Sequence, residues 1–134
     1  MPSTHLQAPT TLRLPFSPSS VAVARRRLHA WLTELGGSPE TVEDARVVLS
    51  ELLANSVRHA RPLADGSVLV SWSLDGAVVR LSVTDGGGQT LPRPLHAPSS
   101  AVAGRGMAIV DTLADRWWTE HTGSRATVHA VLSV

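Results

Sequence analysis

Residues 38–60 read SPETVEDARVVLSELLANSVRHA and decide the fold, because they combine a helix start with a long helical repeat of apolar positions. Ser38 followed by Pro39 is typical of a helix cap and first turn, and the acidic residues after them suit the positive end of the helix dipole. The core-facing positions recur every three or four residues: Val42, Ala45, Leu49, Leu52, Leu53 and Ser56. The stretch therefore predicts one amphipathic helix that runs to about Ala60.

Another amphipathic helix and a short strand precede this stretch. Apolar residues at helical spacing run from Val21 to Leu35, and Gly36-Gly37 ends that helix in a position that favours glycine. Weak alternation over Thr11 to Phe16 predicts an edge strand ahead of it. Residues 1–9 show neither pattern, and we expect them to be disordered.

The second half of the chain predicts strands. Alternating apolar residues over Val68 to Leu74 and Val79 to Val83 predict a hairpin that turns at Asp75-Gly76. Two further strands are predicted at Arg116 to Glu120 and at Arg125 to Leu132. The strands thus come in two neighbouring pairs, which is typical of antiparallel pairing.

Between the two pairs lies a segment without periodicity. Gly86 to Ala103 is an 18-residue loop rich in Gly, Pro and Ser, and a loop this long in a small domain is usually functional or disordered. A short helix, Gly106 to Ala114, is predicted after it. Together the elements predict a single α+β domain over residues 1–134, a two-layer sandwich in which a mixed, mostly antiparallel sheet carries its helices on one face.

Composition excludes several kinds of site. The chain of 134 residues contains no cysteine, so there is no disulfide framework, thiolate nucleophile or cysteine-based zinc site. All twelve basic residues are arginines, which excludes the lysine-dependent Walker A loop. The net charge of +1 and the scattered arginines argue against direct nucleic-acid binding. No apolar run approaches the ~18 residues of a membrane span and no secretory signal is visible, so no membrane contact and a cytoplasmic location are expected.

Three polar clusters are candidates for chemistry, and the first lies on the long helix. Glu51 and Asn55 are four residues apart, so their side chains lie one turn apart beside the apolar stripe. The Asn55 oxygen suits a hard cation such as Mg²⁺, and Glu51 could orient or deprotonate a hydroxyl or a water. Taken alone, the pair is equally consistent with a solvated helix face.

The other two clusters flank the long loop. Asp85 at a strand end can accept a hydrogen bond from an exocyclic amine, and the glycines of Gly86-Gly87-Gly88 let a flat ring approach the backbone. Gly104-Arg105-Gly106, at the start of the predicted short helix, offers free N–H groups and a guanidinium to phosphates. Each cluster also has a plainer interpretation, a flexible turn in one case and a glycine-punctuated helix start in the other.

The order and spacing of the three clusters resemble the GHKL ATPase superfamily, whose members share the Bergerat ATP-binding fold. Residues 51–60, ELLANSVRHA, are similar to its N box, Asp85-Gly86-Gly87 to its Asp-x-Gly box, and residues 104–107, GRGM, to its Gly-x-Gly box. Thr127 matches a threonine of the last strand. The small size and the sequence NSVRHA are similar to the anti-sigma factor serine kinases within that superfamily.

The resemblance implies a role for each matched residue. Glu51 would be the general base, Asn55 the Mg²⁺ ligand and Asp85 the acceptor for the adenine amine. Gly87 would make room for the base, and Thr127 would help to hold adenine through a water. The remaining cofactor-binding residues, of which the first three would contact the phosphates, are Gly104, Arg105, Gly106 and Met107.

The same resemblance implies an ATP- and Mg²⁺-dependent protein serine kinase that acts in partner switching. It would phosphorylate a serine of an antagonist, an anti-anti-sigma protein of the STAS type, and would alternately hold a sigma factor. The loop from Gly88 to Ala103 would be a lid over the nucleotide. After Gly87 the chain continues Gly88-Gln89-Thr90, where the family often has a further glycine and an apolar residue. A nucleotide-gated module that sequesters a partner with little or no turnover therefore stays open as an alternative, and a homodimer is compatible with either.

Two further features are candidates for partner contacts. Arg25-Arg26-Arg27 fits the solvated side of the first helix, and its functional interpretation is a contact with an acidic partner. Of Trp117 and Trp118, strand alternation buries one and exposes the other, and the exposed one is a candidate for a partner or dimer surface. Trp31 and Trp72 lie at positions predicted to face the core.

Overall fold

The computed structural model describes residues 9–88 and 101–134, with residues 101–106 described by their backbone alone. Within these ranges the elements are β1 (Thr10–Pro15), α1 (Ser19–Glu34), α2 (Pro39–His59), β2 (Ser67–Asp75), β3 (Val78–Asp85), α3 (Ala101–Leu113), β4 (Arg116–Thr122) and β5 (Arg125–Ser133). Two predictions fall partly outside the described residues. They are the disordered N-terminus, for residues 1–8, and the lid, for residues 89–100.

The strands form one sheet in the order β1-β2-β3-β5-β4. Each of these pairings is antiparallel. Gly76 and Gly123 lie at the tight turns of the β2–β3 and β4–β5 hairpins, each with a φ of +63°, a left-handed conformation that favours glycine. The α+β prediction is confirmed, and the described strands pair antiparallel throughout, where the prediction allowed a mixed sheet.

The two long helices form where the apolar repeats predict them. The Ser38 side chain caps α2 by accepting a hydrogen bond from the Thr41 amide at 3.1 Å. In the helical layer, α1 and α3 both contact α2, and α2 packs against β3 of the sheet. No helix in the described part of the chain is long and apolar enough to cross a membrane.

The helices cover one face of the sheet, and the hydrophobic core lies between the two layers. Along β3, Val79, Leu81 and Val83 are buried while Arg80 between them is exposed, which is the alternation expected of a sheet covered on one side. Trp72 is buried on the same face and lies 6.1 Å from Trp31, centroid to centroid, which confirms the predicted core positions of these two rings. We call the opposite side of the sheet the open face.

α3 begins earlier than the sequence predicts. The helix was expected from Gly106, but it begins at Ala101, so Gly104, Arg105 and Gly106 lie within the helix and not ahead of it. The prediction of an unbroken loop from Gly86 to Ala103 is accordingly wrong over its last three residues. The physical reason is that alanine is the strongest helix former, while a glycine inside a helix costs only about 1 kcal/mol and does not force a boundary.

Candidate functional site

α2 carries the first candidate pair. Glu51 and Asn55 lie one helical turn apart, and both side chains are half-buried. The residues that follow each of them, Leu52 and Ser56, are buried on the core side of the helix. The pair therefore lies on the flank of α2, where its surface passes from the core to solvent, as the sequence predicts.

The end of β3 places a carboxylate against α2. Asp85 is the last residue of β3 and is only 5% exposed. By strand alternation its side chain points to the helix-covered face, like that of Val83. There the Ser56 hydroxyl donates a hydrogen bond to Oδ2 of Asp85, and the Gly87 amide donates one to Oδ1 at 2.8 Å. Because Ser56 adjoins Asn55 in the chain, the fold brings the first two predicted clusters together.

The carboxyl group of Asp85 is electrostatically unusual. Burial raises the pKa of Asp85 above its ordinary value of 3.8, because the ionised form loses hydration. The hydrogen bonds from Ser56 and Gly87 and the nearby His121 oppose this effect on the pKa without cancelling it. Perturbed carboxyl groups of this kind concentrate at functional sites, since a well-packed fold does not itself require a buried charge.

Close backbone contacts require the two glycines that follow β3. A Cβ on Gly86 would overlap the carbonyl group of Pro62. One on Gly87 would lie 2.9 Å from the Ser124 carbonyl oxygen, and Gly87 has a φ of +86°. The Gly86 amide donates to the Arg61 carbonyl and the Arg61 amide donates to the Gly87 carbonyl, both at 2.8 Å. These glycines thus hold the turn against the segment after α2, a structural reason that stands beside the predicted one of making room for a ring.

Thr127 lies on the other side of the sheet from the Asp85 carboxylate. It pairs with Thr84 across β3 and β5, and the two hydroxyl oxygens are 2.8 Å apart. Since Thr84 precedes Asp85 in an extended strand, the two side chains point to opposite faces. The structure therefore does not bring the Thr127 hydroxyl to Asp85, and the water-mediated contact of Thr127 with adenine stays a prediction.

The third predicted cluster lies within α3. A helix leaves only the N–H groups of its first turn without an internal partner, and Gly104 to Gly106 come after the turn that begins at Ala101. As long as the helix begins at Ala101, these N–H groups donate to carbonyl groups within the helix and are not free to bind a phosphate. The Arg105 side chain lies outside the described residues. Met107, the last residue of the predicted set, is half-buried and packs against the hydrophobic core.

A metal ion at this site would rely on few protein ligands. Among the described residues, no group of three His, Asp or Glu side chains is placed to hold a metal. Mg²⁺ needs no such cage, because it is usually bound through one or two protein side chains together with waters and substrate phosphates. The half-buried amide of Asn55 on the flank of α2 fits that requirement.

The sequence patterns do not identify Ser56 and Gly86 as residues that position Asp85. From the pattern alone, Ser56 is one position of the α2 core stripe and Gly86 is one of three consecutive glycines. The signal for Ser56 is that a hydroxyl at a core position needs a buried hydrogen-bond partner. No pattern indicates the role of Gly86, because its contact with Pro62 is a tertiary one.

We expect ionisation of Asp85 to lower the free energy of unfolding of the protein. Because the pKa of Asp85 is raised by folding, the folded state binds more protons than the unfolded chain between pH 3.8 and the folded-state pKa. The contribution of Asp85 to the free energy of unfolding therefore falls as the pH rises through that window, by at most about 1.4 kcal/mol per pH unit. Urea denaturation of the wild type and of Asp85→Asn at a series of pH values measures this contribution.

The difference between these two proteins isolates Asp85, because the other groups titrate in both. The free energy of unfolding of Asp85→Asn is expected to rise relative to that of the wild type as the pH rises from 3.8 to the folded-state pKa. Above that pKa the difference between the two proteins is expected to stay constant. Asp75→Asn, at the exposed end of β2, removes the same charge and corrects for the change in net charge. If the free energy of unfolding of Asp85→Asn instead fell relative to that of the wild type as the pH rose, the pKa of Asp85 would not be raised.

Known proteins that resemble this chain identify its family and its fold. Residues 14–132 match the family model described as a histidine kinase-like ATPase domain. The match takes in all three predicted clusters and nearly the whole chain.

Two curated bacterial proteins named Serine-protein kinase RsbW are similar in sequence. The protein from Listeria innocua is 28% identical over 117 residues, an alignment that covers 78% of this chain and 74% of the relative. The protein from Oceanobacillus iheyensis is 29% identical over 77 residues, which covers 57% of this chain and 49% of the relative.

A solved structure shares the fold. The crystal structure of the RsbU and RsbW domains of Rv1364c from Mycobacterium tuberculosis matches 95% of this chain with a TM-score of 0.73 and 23% sequence identity. This chain spans about a third of that protein, 32% of its length. At this level of identity the match is one of fold.

Proposed function

Because the chain belongs to the histidine kinase-like ATPase domain family, we propose that it binds ATP with Mg²⁺ beside α2 and the end of β3. We further propose that it is an anti-sigma-factor-type regulator that phosphorylates a serine of an antagonist protein. The name of its relatives, Serine-protein kinase RsbW, supports the kinase activity. The partners, a sigma factor and an anti-anti-sigma protein of the STAS type, rest on the resemblance of the sequence motifs to the anti-sigma factor serine kinases.

The observation that carries this proposal is the hydrogen bond between Ser56 and Asp85. It joins residues that are 29 positions apart in the chain, and it fixes a buried carboxylate against the turn of α2 that holds Asn55. Glu51 lies one turn earlier on the same helix. A solvated helix face and a flexible turn would not require this contact, and it therefore supports the functional interpretation of the two clusters.

In the proposed complex Asp85 accepts a hydrogen bond from the exocyclic amine of adenine. An ionised carboxylate has about four lone-pair positions, and Ser56 and Gly87 take two of those of Asp85. The low exposure of the group strengthens a hydrogen bond made to it. Guanine carries a carbonyl oxygen where adenine carries this amine, so the same carboxylate would disfavour GTP.

Asn55 and the glycines of α3 would hold the phosphate end of the nucleotide. Mg²⁺ bound through Asn55 would neutralise charge on the phosphates. Gly104 to Gly106 could donate N–H groups to a phosphate only if the first turn of α3 opened, because those groups otherwise belong to the helix. We therefore propose that nucleotide binding shortens α3 at its N-terminal end.

Glu51 is the proposed general base of the transfer. It would take the proton of the acceptor serine hydroxyl as the serine oxygen bonds to the γ-phosphorus and the bond to ADP breaks. The products would be phosphoserine and ADP, and Glu51 would then release the proton to water. The half-buried position of Glu51 on the helix flank leaves its carboxylate accessible to the side chain of a protein substrate.

Titration calorimetry with ATP and Mg²⁺ tests the nucleotide part of the proposal. We expect a Kd on the order of 1 µM to 1 mM. Asp85→Asn replaces one acceptor oxygen by an NH₂ donor, and it is expected to weaken ATP binding about 10- to 100-fold, since a hydrogen bond to a charged group contributes about 1.5–3 kcal/mol. Asp75→Asn, at the opposite end of the β2–β3 hairpin, is the matched control and should bind ATP like the wild type. Absence of heat with the wild type, or equal affinity for ATP and GTP, would refute this assignment of the site.

A further inference from the structure

The open face of the sheet carries basic and aromatic side chains that the proposed nucleotide site does not use. The register of β3, β5 and β4 places four of them side by side: Arg80, Arg116, Trp118 and His129. We call these four residues the arginine–tryptophan cluster. Trp117 packs against the core on the helix-covered face, and Trp118 lies on the open face. Both side chains are half-buried, so the prediction that one is buried and the other exposed is wrong.

The Trp118 ring holds the cluster together. The guanidinium carbons of Arg116 and Arg80 lie 4.8 and 5.5 Å from the centroid of this ring. The His129 ring stacks on it with centroids 5.0 Å apart and an interplanar angle of 20°. The His129 Nε2 atom is in turn 2.8 Å from a carboxylate oxygen of Glu120. Trp118 is thus a platform that fixes two arginines on a flat surface.

The positive charge of the two arginines is not balanced locally. The ion pairs among the described residues involve other arginines, and the nearby carboxylate of Glu120 pairs with His129. Arg80 and Arg116 are both exposed. A guanidinium already ordered against an aromatic ring loses little further rotamer freedom when it binds a carboxylate. The cluster is therefore preorganised for an anionic ligand.

The packing of Trp118 favours carboxylates over nucleic-acid bases. Sheets that bind single strands present aromatic faces on which bases stack. Here the Trp118 ring is already in contact with His129 and with two guanidinium groups, so a base finds little free ring surface. A second copy of this chain is also disfavoured, because two such faces would bring like charges together.

We propose that the arginine–tryptophan cluster docks an acidic segment of a partner protein, with one carboxylate for each guanidinium. Both guanidinium carbons lie within 5.5 Å of one ring centroid, so they are no more than twice that distance apart. Carboxylates two residues apart in an extended segment, or four apart in a helix, match this separation. The surface lies on the face opposite to the Asp85 carboxylate, so the partner docks without covering the proposed adenine acceptor. The inference does not depend on that acceptor.

The test measures fluorescence anisotropy of a labelled peptide in which glutamate alternates with serine, titrated with the full chain at low salt. We expect the glutamate peptide to bind with an affinity that falls as salt is added, and the matched glutamine peptide not to bind. The double variant Arg80→Gln/Arg116→Gln is expected to weaken binding at least about tenfold, because it removes two charge-assisted hydrogen bonds.

Matched variants separate this surface from net charge. Arg58→Gln/Arg61→Gln removes the same charge from two exposed residues at or just after the end of α2, and binding is expected to stay within about twofold of the wild type. Arg80→Lys/Arg116→Lys keeps the charge and loses the planar fork, so it is expected to bind with intermediate affinity. Thermal melting followed by circular dichroism checks that each variant is folded.

Several outcomes would overturn the proposal. One is absence of binding by the glutamate peptide, and another is an equal loss in the Arg58→Gln/Arg61→Gln variant. An oligothymidylate that binds more tightly than the peptide and depends on Arg80 and Arg116 would assign the face to nucleic acid instead. A concentration-dependent dimer that the Arg80→Gln/Arg116→Gln variant abolishes would assign it to a second copy of the chain.

Discussion

Glu51→Ala is expected to lower the rate of phosphoryl transfer to an acceptor serine by about 10²- to 10⁴-fold, the range a positioned general base contributes. The affinity for ATP is expected to stay near that of the wild type. The reason is that Glu51 is not among the residues that hold Asp85, whose carboxylate is bonded to Ser56 and Gly87. Removing Glu51 therefore leaves the proposed adenine acceptor in place.

The measurement is single-turnover transfer of labelled γ-phosphate to a purified antagonist protein of the STAS type, with calorimetry of ATP binding alongside. Asp44→Ala is the matched control, because Asp44 is a half-buried acidic residue on the same helix, two turns before Glu51. Its transfer rate is expected to stay near the wild-type value. An equal loss in Asp44→Ala would mean that charge on this helix matters in general, and not the position of Glu51.

The same experiment separates the proposed serine kinase from the alternative that the sequence leaves open. Loss of transfer with ATP binding retained supports a serine kinase in which Glu51 is the base. A wild type that binds ATP but transfers no phosphate would favour the nucleotide-gated module that sequesters a partner. If Glu51→Ala lost ATP binding as well as transfer, Glu51 would be a binding residue and the proposed mechanism would be wrong.

Local patterns in the sequence were sufficient for the elements whose structure depends on neighbours in the chain. The Ser38 cap, the apolar repeat of α2 and the turn at Gly76 all lie where predicted. Each of them follows from interactions over a few residues, namely a cap hydrogen bond, a helical period and a left-handed turn conformation. The position of Asp85 at the end of β3 follows in the same way from strand alternation.

Features that depend on distant contacts could not be predicted from these patterns. The face on which Thr127 lies follows from its pairing with Thr84, and the register between β3 and β5 is set by the packed sheet. The start of α3 at Ala101 differs from the prediction for a local reason, since glycines weaken a helix without marking its boundary. The hydrogen bond from Ser56 to Asp85 needs the packing of α2 on β3.

The candidate site therefore depends on both kinds of information. Sequence order supplies the chemical groups, namely the carboxylate of Glu51, the amide of Asn55 and the carboxylate of Asp85. Tertiary packing supplies their relative placement, through the Ser56–Asp85 hydrogen bond and through the contact of Gly86 with the segment after α2. A change in that packing should damage the site even though it removes no functional group.

Gly86→Ala is such a change, and it is expected to lower the free energy of unfolding by about 3 kcal/mol or more. Its Cβ would overlap the Pro62 carbonyl, and relief requires the turn to move away from the segment after α2. That movement would weaken the two backbone hydrogen bonds with Arg61, at about 0.5–1.5 kcal/mol each, in addition to the 1–3 kcal/mol or so typical of overpacking. Urea denaturation measures the loss, and a fall in Tm of roughly 10 °C should accompany it.

ATP affinity should fall in the same variant, because the displaced turn carries the Gly87 amide that donates to Asp85. Gly66→Ala is the matched control: Gly66 has a φ of +83° but nothing within 4 Å of an added Cβ. Its cost is limited to about 1–2 kcal/mol of backbone strain, and its ATP affinity should be that of the wild type. If Gly86→Ala proved no less stable than Gly66→Ala and bound ATP normally, the turn after β3 would not depend on its contact with Pro62, and the placement of Asp85 would need another explanation.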